Sequence, residues 1–408
     1  MYVTIADCPF NHAHRRYPKR ETKEVMEKLQ RCCCKVATIL IGTHKFLGYC
    51  HIREKGTMLS TLLLLGLVVS CESDFAPAVV NVSLDDPPEV RWASLSKVFD
   101  VDYLVKAAAE VIDATIPKWV HHAVTPIVEA LEKYVPPPYA GEIRGMSSYF
   151  RGNLSDIILL NFAYEISAFC TSIVAQDTSG RLYHGRNLDY PHDILRNLTI
   201  NVLFLKNGTV AYRGTTFAGY VGLWTGQSPN KFTVSGDQRG DDHWWNWWKN
   251  WVSAFLLKRS PVSWLVRETL EEAADFQDAV MRLSKIPIIT SVYYIVAGVK
   301  PGEGVVVTRD RKGPADIWPL EPLNGGWFRV ETNFDHWLPP PAKDHRRDAA
   351  NKALNATGQD NINMDTMYKV LSMNPVCNRI TVFTTTMSAA SPEKYNTEVR
   401  PEGCHSNE

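Results

Sequence analysis

The chain has 408 residues, of which 45% are hydrophobic and 22% are charged, and its 44 basic residues equal its 44 acidic ones in number. This composition is that of a globular protein with enough apolar side chains for one large domain or two ordinary ones. Because balanced charge gives no long-range attraction to polyanions, we expect no nucleic-acid partner.

The first predicted element is a short apolar run, MLSTLLLLGLVVSC, from Met58 to Cys71. It is shorter than the about 20 apolar residues that cross a bilayer, and Arg53 and Lys55 precede it. Residues 58–73 are therefore predicted to be a signal peptide. Residues 1–57 would then be an upstream extension, absent from the mature protein, with Met58 as the functional initiator. A signal anchor with a cytosolic tail is the alternative.

Sequons for N-glycosylation support a route through the secretory pathway. A single sequon arises easily by chance, whereas several behind a signal peptide favour glycosylation. The acceptor residues are Asn81, Asn153, Asn197, Asn207 and Asn355.

Removal of the N-terminal region leaves three cysteines, Cys170, Cys377 and Cys404. An odd number of cysteines in a secreted chain indicates a candidate reactive thiol. Cys377 and Cys404 are close enough in sequence to pair with each other, and they could also both stay unpaired. In either case Cys170 is the candidate reactive thiol. The alternative is that Cys170 serves only as a small buried hydrophobic residue.

Helical spacing of apolar residues precedes Cys170, and strands follow it. Helices are predicted between residues 102 and 134 and from about 145 to 163. After Cys170, the clearest hairpins turn at Thr178-Ser179-Gly180 and at Asn207-Gly208. Helical spacing returns at residues 262–285 and 363–374. Hairpins that alternate with helix pairs predict the α+β class, with antiparallel sheets covered by helices.

The hairpin that starts at Cys170 brings polar side chains to the thiol. A turn centred on residues 178–179 would place Cys170 roughly opposite Asn187, with Arg186 and Asp189 beside it. The guanidinium would lower the thiol pKa and favour the thiolate, and Asp189 could orient the attacking group. The segment GRNLD taken alone could instead be a solvated strand end.

No general base for this thiol is evident in the sequence. The thiol-protease motif C-G-S-C-W is absent, and no histidine is specially placed. The remaining base is the α-amine of Cys170 itself, as in nucleophiles activated by an N-terminal amine. That amine exists only after the Phe169–Cys170 bond is cut, so a precursor cleaved at this bond is predicted.

Several stretches carry a specific resemblance to a known family. They are CTSIVAQD with HGRNLDYP, GYVGLWTGQSPNKFTVSGD, GPADIWPLEPLNGGWFRVETNFDHW and ALNATGQDN. From about Val90 to its end the chain resembles the N-acylethanolamine-hydrolyzing acid amidases, relatives of the acid ceramidases. The resemblance implies an N-terminal-nucleophile hydrolase fold, an αββα sandwich of two antiparallel sheets. It also implies a lysosomal proenzyme that cuts itself at acidic pH into a mainly helical α subunit, residues 74–169, and a catalytic β subunit, residues 170–408.

The resemblance also assigns roles to single residues. Cys170 in FCTS is the nucleophile, and Arg186 and Asp189 in GRNLD are its polar partners. Asn333 in VETN is the group on the oxyanion side.

Arg346 in DHRR matches an arginine of the related ceramidase site and is expected to support catalysis. Two positions depart from the family, because acids are common where this chain has His345, next to Arg346, and Gln238, in SGDQR. A neutral amide at Gln238 cannot assist self-cleavage by protonation, so the pH dependence of maturation could differ.

The implied reaction is the hydrolysis of fatty acid ethanolamides, such as palmitoylethanolamide, to fatty acid and ethanolamine. The Cys170 thiolate attacks the amide carbonyl, and the α-amine carries the proton to the leaving ethanolamine. Asn333 donates toward the oxyanion, a contribution of about 3 to 4 kcal/mol. No cofactor or metal is expected. An acid ceramidase acting on ceramides is the closest alternative, and a non-catalytic lipid-binding protein is the alternative of another class.

The segment HWWNWWKNWVSAFLLKR, residues 243–259, is predicted to be an interfacial helix. Wound as a helix, it has Trp244, Trp248, Trp251 and Phe255 on one face. Tryptophan on one face with lysine nearby is typical of a helix that lies in a headgroup layer, so a membrane surface is an expected peripheral partner. The alternative is that the same stripe packs over the core.

Overall fold

The computed structural model describes residues 73–115, 135–163, 169–240 and 259–404. The upstream extension and residues 58–72 of the predicted signal peptide lie outside the described residues, as do residues 243–258 of the predicted tryptophan helix. No helix in the described ranges combines the length and the apolar content that a membrane crossing requires.

Two β-sheets form the centre of the fold. In chain order the strands are β1 (Ala78–Ser83), β2 (Phe169–Gln176), β3 (Leu182–Asp189), β4 (Thr199–Lys206), β5 (Thr209–Phe217), β6 (Thr225–Ser228), β7 (Phe232–Gln238), β8 (Val292–Ala297), β9 (Gly304–Arg309), β10 (Pro314–Pro319), β11 (Phe328–Glu331), β12 (Thr381–Met387) and β13 (Asn396–Val399). One sheet has the order β1-β4-β5-β6-β7-β8-β9-β10, and the other has the order β11-β2-β3-β12-β13.

Helices lie before, between and after these strands. Those in the described ranges are α1 (Val101–Thr115), α2 (Tyr139–Tyr149), α3 (Leu154–Ala163), α4 (Ile194–Leu198), α5 (Val262–Glu272), α6 (Phe276–Lys285), α7 (Arg346–Thr357) and α8 (Met364–Leu371). Short 3₁₀ helices occur at Pro88–Val90, Ala93–Lys97, Pro322–Asn324 and Gln359–Asn361.

The layers follow the order helix, sheet, sheet, helix. Helices α5 and α6 pack on the larger sheet, and α7 and α8 pack on the smaller one. The sheets face each other through β2, which contacts β7, β8 and β9. This arrangement confirms the predicted α+β class and the αββα sandwich. One detail differs, because β1 pairs with β4 in parallel, whereas the remaining described pairs are antiparallel.

Local signals explain why several elements were predictable. Asn207 and Gly208 both adopt positive φ, at 50° and 74°, which is the geometry of a tight turn between β4 and β5. Asn363 caps α8 in a capping box with Thr366, and the Asp275 side chain accepts the Asp278 N–H at the start of α6. The predicted helical stretch 262–285 is therefore two helices, separated by a capped restart.

The turn of the Cys170 hairpin is longer than the sequence suggested. Its loop spans residues 177–181, and the Asp177 carboxylate accepts the Arg181 N–H at 2.9 Å. Gly180 adopts a φ of +86°, a conformation that glycine reaches without strain. The centre of the loop therefore lies half a residue further along the chain than the centre of the predicted turn at residues 178–179.

The pairing register of this hairpin differs from the prediction by one residue. Cys170 lies opposite Leu188, not Asn187. Because side chains alternate between the two faces of a strand, the shift puts Arg186 on the face of Cys170 and Asp189 on the other face. Arg186 therefore lies on the thiol side of the strand, and Asp189 lies opposite Phe169, on the other side of the bond predicted to be cut.

Candidate active site

Cys170 lies near the start of β2, and its side chain is buried between the two sheets. It is the free cysteine of the described residues, because Cys377 and Cys404 form a disulfide. Arg186 Nη2 donates to Cys170 Sγ at 2.8 Å. The guanidinium is held in place by Thr225, whose Oγ1 accepts from Nη1 at 2.6 Å.

Burial decides the charge of this thiol in the uncut chain. It raises the pKa of Cys170 to about 12, although Arg186 and Arg346 act to lower it. The carboxyl groups of Asp237 and Asp189 raise it further. Arg186 does lower the thiol pKa, as expected, but burial raises it by more. The thiolate loses more stabilisation from the missing water than it gains from the guanidinium.

Asp237, at the end of β7, is a residue of this site that the sequence analysis missed. Its Oδ1 lies 3.6 Å from Arg186 Nη2 and accepts the Ser172 hydroxyl at 2.8 Å. Its Oδ2 is buried without a hydrogen-bond partner among the described residues. Burial raises the pKa of Asp237 to about 7 in spite of Arg186. The signal in the sequence was the run of inward polar residues at alternate positions of FTVSGDQ.

Hydrogen bonds continue from Asp237 through the space between the sheets. Ser235 Oγ donates to Ser172 Oγ at 2.8 Å, and His184 Nε2 lies 2.9 Å from Ser235 Oγ. His184 Nδ1 lies 2.9 Å from Thr233 Oγ1. Burial lowers the pKa of His184 to about 3, so this histidine is neutral at any pH above that. The hydroxyl groups and the imidazole form a fixed polar layer rather than a second base for the thiol.

The backbone of Cys170 is held by the other predicted residues. Asn333 Oδ1 accepts the Cys170 N–H at 3.1 Å and also accepts from Arg346 Nη2 at 3.0 Å. Arg346 Nη1 donates to the Cys170 carbonyl at 2.7 Å. Asn333 Nδ2 donates to the carbonyl oxygen of Gln238 at 2.9 Å. Gln238 therefore enters the site through its backbone, which a glutamate at this position would also provide.

Asp189 contacts Arg346 directly and affects the thiol through its negative charge. Its Oδ2 lies 3.5 Å from Arg346 Nη1, and its Oδ1 accepts the Thr381 hydroxyl at 2.6 Å. Asp344 accepts from Arg346 Nε at 3.0 Å and from Nη2 at 2.7 Å. Two carboxyl groups thus fix Arg346. His345, the residue that differs from the family pattern, is exposed.

A cavity of about 540 Å³ adjoins this cluster. Asn333 lies in its wall, next to the Cys170 nitrogen. Phe169, on the other side of the bond to Cys170, is 46% exposed. The bond predicted to be cut therefore joins an exposed residue to a buried one. The remaining wall residues are Arg239, Gly240, Ser291, Tyr293, Asp310, Phe334, Asp335, Leu338, Pro339 and Pro341.

Comparison with known proteins identifies relatives over most of the chain. A family model described as the beta subunit of N-acylethanolamine-hydrolyzing acid amidase matches residues 75–135. This model, although named for a beta subunit, matches the segment that is called the α subunit above. The chain is 56% identical to the N-acylethanolamine-hydrolyzing acid amidase of Cavia porcellus, over 81% of this chain and 93% of that protein. Identity to the acid ceramidase of Bos taurus is 34%, over 74% of this chain and 81% of that protein.

A solved structure shows the same relationship. The Caenorhabditis elegans ortholog of N-acylethanolamine-hydrolyzing acid amidase is 40% identical to the chain and superposes with a TM-score of 0.53. The match covers 57% of this chain and 100% of that one. The similarity in sequence is therefore accompanied by similarity in fold.

Proposed function

Because the chain belongs to the family of N-acylethanolamine-hydrolyzing acid amidases, we propose that it hydrolyses fatty acid ethanolamides with Cys170 as the nucleophile. The observation that carries the assignment is the set of contacts on Cys170. Its sulfur, nitrogen and carbonyl oxygen are held by Arg186, Asn333 and Arg346, respectively. A residue that merely filled the core would not need three polar side chains, so the reading of Cys170 as a small hydrophobic residue is disfavoured.

Maturation is the first step of the proposed mechanism. Cys170 Sγ attacks the Phe169 carbonyl carbon, the carbon–sulfur bond forms and the carbon–nitrogen bond breaks. The thiol proton ends on the Cys170 nitrogen, and water then hydrolyses the thioester to free the thiol and the Phe169 carboxylate. The new α-amine has a reference pKa of about 7.7 to 8, which makes it a usable base. Asn333 Oδ1, 3.1 Å from this nitrogen in the uncut chain, is placed to orient it.

The same groups then process the substrate. The α-amine takes the thiol proton while Sγ attacks the amide carbonyl, and it delivers that proton to the leaving ethanolamine. Water cleaves the acyl-thioester and releases the fatty acid. Asn333 is the proposed oxyanion donor because it is the carboxamide beside the Cys170 nitrogen. Arg346 already donates to the Cys170 carbonyl and holds Cys170 in position during both steps.

Identity to the relatives favours ethanolamides over ceramides. The chain is 52% identical to the amidase of Rattus norvegicus over 99% of that protein, against 34% identity to the bovine acid ceramidase. A non-catalytic lipid-binding protein would leave the buried contacts of Cys170 without a purpose.

We extend the proposal to the setting in which the enzyme works. The five sequon asparagines are all exposed, which supports glycosylation in the secretory pathway. Residence in the lysosome is proposed from the family resemblance. Cleavage at Cys170 would leave two segments that stay together as an α/β heterodimer. The predicted contact with a membrane surface depends on the tryptophan segment outside the described residues.

The test uses the purified full chain after acid incubation. We expect hydrolysis of palmitoylethanolamide with a kcat/KM well above that for a ceramide of equal acyl length, and loss of turnover in Cys170→Ser. Cys404→Ser is the matched control, because it removes a cysteine of the disulfide and leaves Cys170 intact. Faster hydrolysis of the ceramide would favour the ceramidase, and full activity of Cys170→Ser would remove Cys170 from the mechanism.

A further inference from the structure

The space between the sheets contains carboxyl groups that the mechanism above does not use. Asp237 and Glu331 are both fully buried there. Each has one oxygen without a hydrogen-bond partner among the described residues, Asp237 Oδ2 and Glu331 Oε2. Of the two, Asp237 is the one that contacts Arg186, the guanidinium that also donates to Cys170 Sγ.

We propose that Asp237 is a positioning residue for self-cleavage, which proceeds while its carboxyl group is neutral and slows when that group is ionised. The inference rests on the self-cleavage proposed above and adds the residue that makes it depend on pH. It assigns to Asp237 an action through Arg186, not a contact with the reacting atoms.

Arg186 Nη2 is the atom through which Asp237 would act. It donates to Cys170 Sγ at 2.8 Å and to the Gly236 carbonyl at 3.2 Å, and it lies 3.6 Å from Asp237 Oδ1. An ionised Asp237 competes with sulfur for this guanidinium. It also adds negative charge next to the attacking group, where negative charge develops as the new bond forms. A neutral Asp237 leaves the positive charge of Arg186 to the reacting centre.

The other charged groups around Asp237 do not remove this competition. Asp189 on β3 and Glu331 on β11 add carboxyl groups, and Arg346 on α7 adds a second guanidinium. Arg346 is already paired with Asp344 at 2.7 Å. Burial raises the pKa of Asp237 to about 7, and burial raises that of Glu331 to about 8, so both acids are largely neutral under acidic conditions.

The hydrogen bond from Ser172 fixes the direction of the acid. The Ser172 hydroxyl donates to Oδ1 of Asp237, so a proton on the neutral acid resides on Oδ2, the oxygen without a partner. This bond also lowers the pKa of Asp237. Removal of the hydroxyl should therefore move the pH midpoint of any process that Asp237 controls to a higher value.

The proton balance of the cleavage step makes the pH dependence specific. The thiol proton moves to the Cys170 nitrogen as the carbon–nitrogen bond breaks, so this acyl shift exchanges no proton with solvent. While this shift limits the rate, a loss of rate across neutral pH reports the ionisation of a nearby group and not that of the α-amine, which is freed only after the shift. For one acid with a midpoint near 7, the rate at pH 8 should be about one tenth of that at pH 5.

The experiment follows self-cleavage of the full chain by intact mass between pH 5 and pH 8.5. We expect the wild type to slow about tenfold from pH 5 to pH 8 and Asp237→Asn, which has the shape of the neutral acid, to change less than about twofold. Ser172→Ala should shift the midpoint upward. Asp278→Asn, a change at a partly exposed carboxylate paired with Arg282, is the control and should retain the wild-type profile.

Three results would overturn the proposal. The first is an unchanged pH profile in Asp237→Asn or Ser172→Ala, and the second is a profile abolished by Glu331→Gln alone. The third is a folded Asp237→Asn chain that fails to cleave at every pH, since that would require the carboxylate itself as a base. Failure of the proposed function gives a different pattern, in which the chain cleaves at Cys170 with the expected pH profile but does not hydrolyse fatty acid ethanolamides.

Discussion

Glu142 connects the part of the chain before Cys170 to the part after it. This residue of α2 is fully buried, and its carboxylate accepts two hydrogen bonds from Arg267 of α5, at 2.6 and 2.7 Å. Trp92 Nε1 donates to it at 2.8 Å, and Arg91 Nη1 donates at 3.1 Å. These donors lower the pKa of Glu142 in spite of its burial, so the group is ionised in the folded chain.

Glu142→Gln tests how much this pair stabilises the protein. The amide keeps the shape of the side chain but leaves the buried Arg267 guanidinium without an anion. Loss of one partner of a buried ion pair costs about 3 to 5 kcal/mol, because the remaining charge is uncompensated. In a chain of this size such a change corresponds to a fall in melting temperature of roughly 5 °C.

The assay is equilibrium unfolding of the uncut chain, followed by gel filtration of the acid-cleaved protein in moderate urea. We expect the variant to unfold earlier and its two segments to separate where those of the wild type stay together. Glu89→Gln is the control, since Glu89 forms an exposed pair with Arg144 and should lose less than about 1 kcal/mol. Equal losses in both variants would refute the stabilising role of the buried Glu142–Arg267 pair.

Other predictions concern pH, the Cys170 carbonyl and the membrane. Burial raises the pKa of Glu331 to about 8, so wild-type stability should fall as pH rises from about 4.5 toward 8. Glu331→Gln should be more stable than the wild type by roughly 2 to 3 kcal/mol at pH 7 and equally stable at pH 4. Unfolding curves of the two proteins that differ equally at both pH values would contradict this. Arg346→Ala should slow self-cleavage at least tenfold with partial recovery in Arg346→Lys, measured by intact mass, because the Cys170 carbonyl loses its donor. Serine at Trp244, Trp248 and Trp251 should weaken sedimentation with anionic vesicles and spare hydrolysis of a short soluble amide, whereas equal loss in both assays would place these residues in the core.

The elements with local signals were predictable from the sequence. The Asn207-Gly208 turn and the strands beside it depend on neighbouring residues, and the structure has them where the sequence placed them. The register of the Cys170 hairpin was off by one because it depends on how the Asp177 side chain closes the loop. That shift decided which face Asp189 occupies, so a small local error changed the predicted site.

The rest of the site could not be read from spacing. Cys170 meets Asn333 across 163 positions of sequence, and Ser172 meets Asp237 across 65. Asn333 and Arg346 were identified through family motifs and not from periodicity. Asp237 was missed because its importance depends on Arg186, which reaches it only when the two sheets stack. The pKa of the thiol was misjudged because burial, which the sequence does not show, outweighs the nearby guanidinium.

The most direct measurement is the terminal sequence and intact mass of the acid-incubated chain, taken on the same sample as its amidase activity. The account predicts a new N-terminus that reads Cys-Thr-Ser-Ile-Val, formed by cleavage between Phe169 and Cys170, and activity that rises in step with the cleaved fraction. The α-amine that this cleavage frees is the only base that the mechanism assigns to the substrate step. Full activity in a chain whose Phe169–Cys170 bond is intact would contradict it.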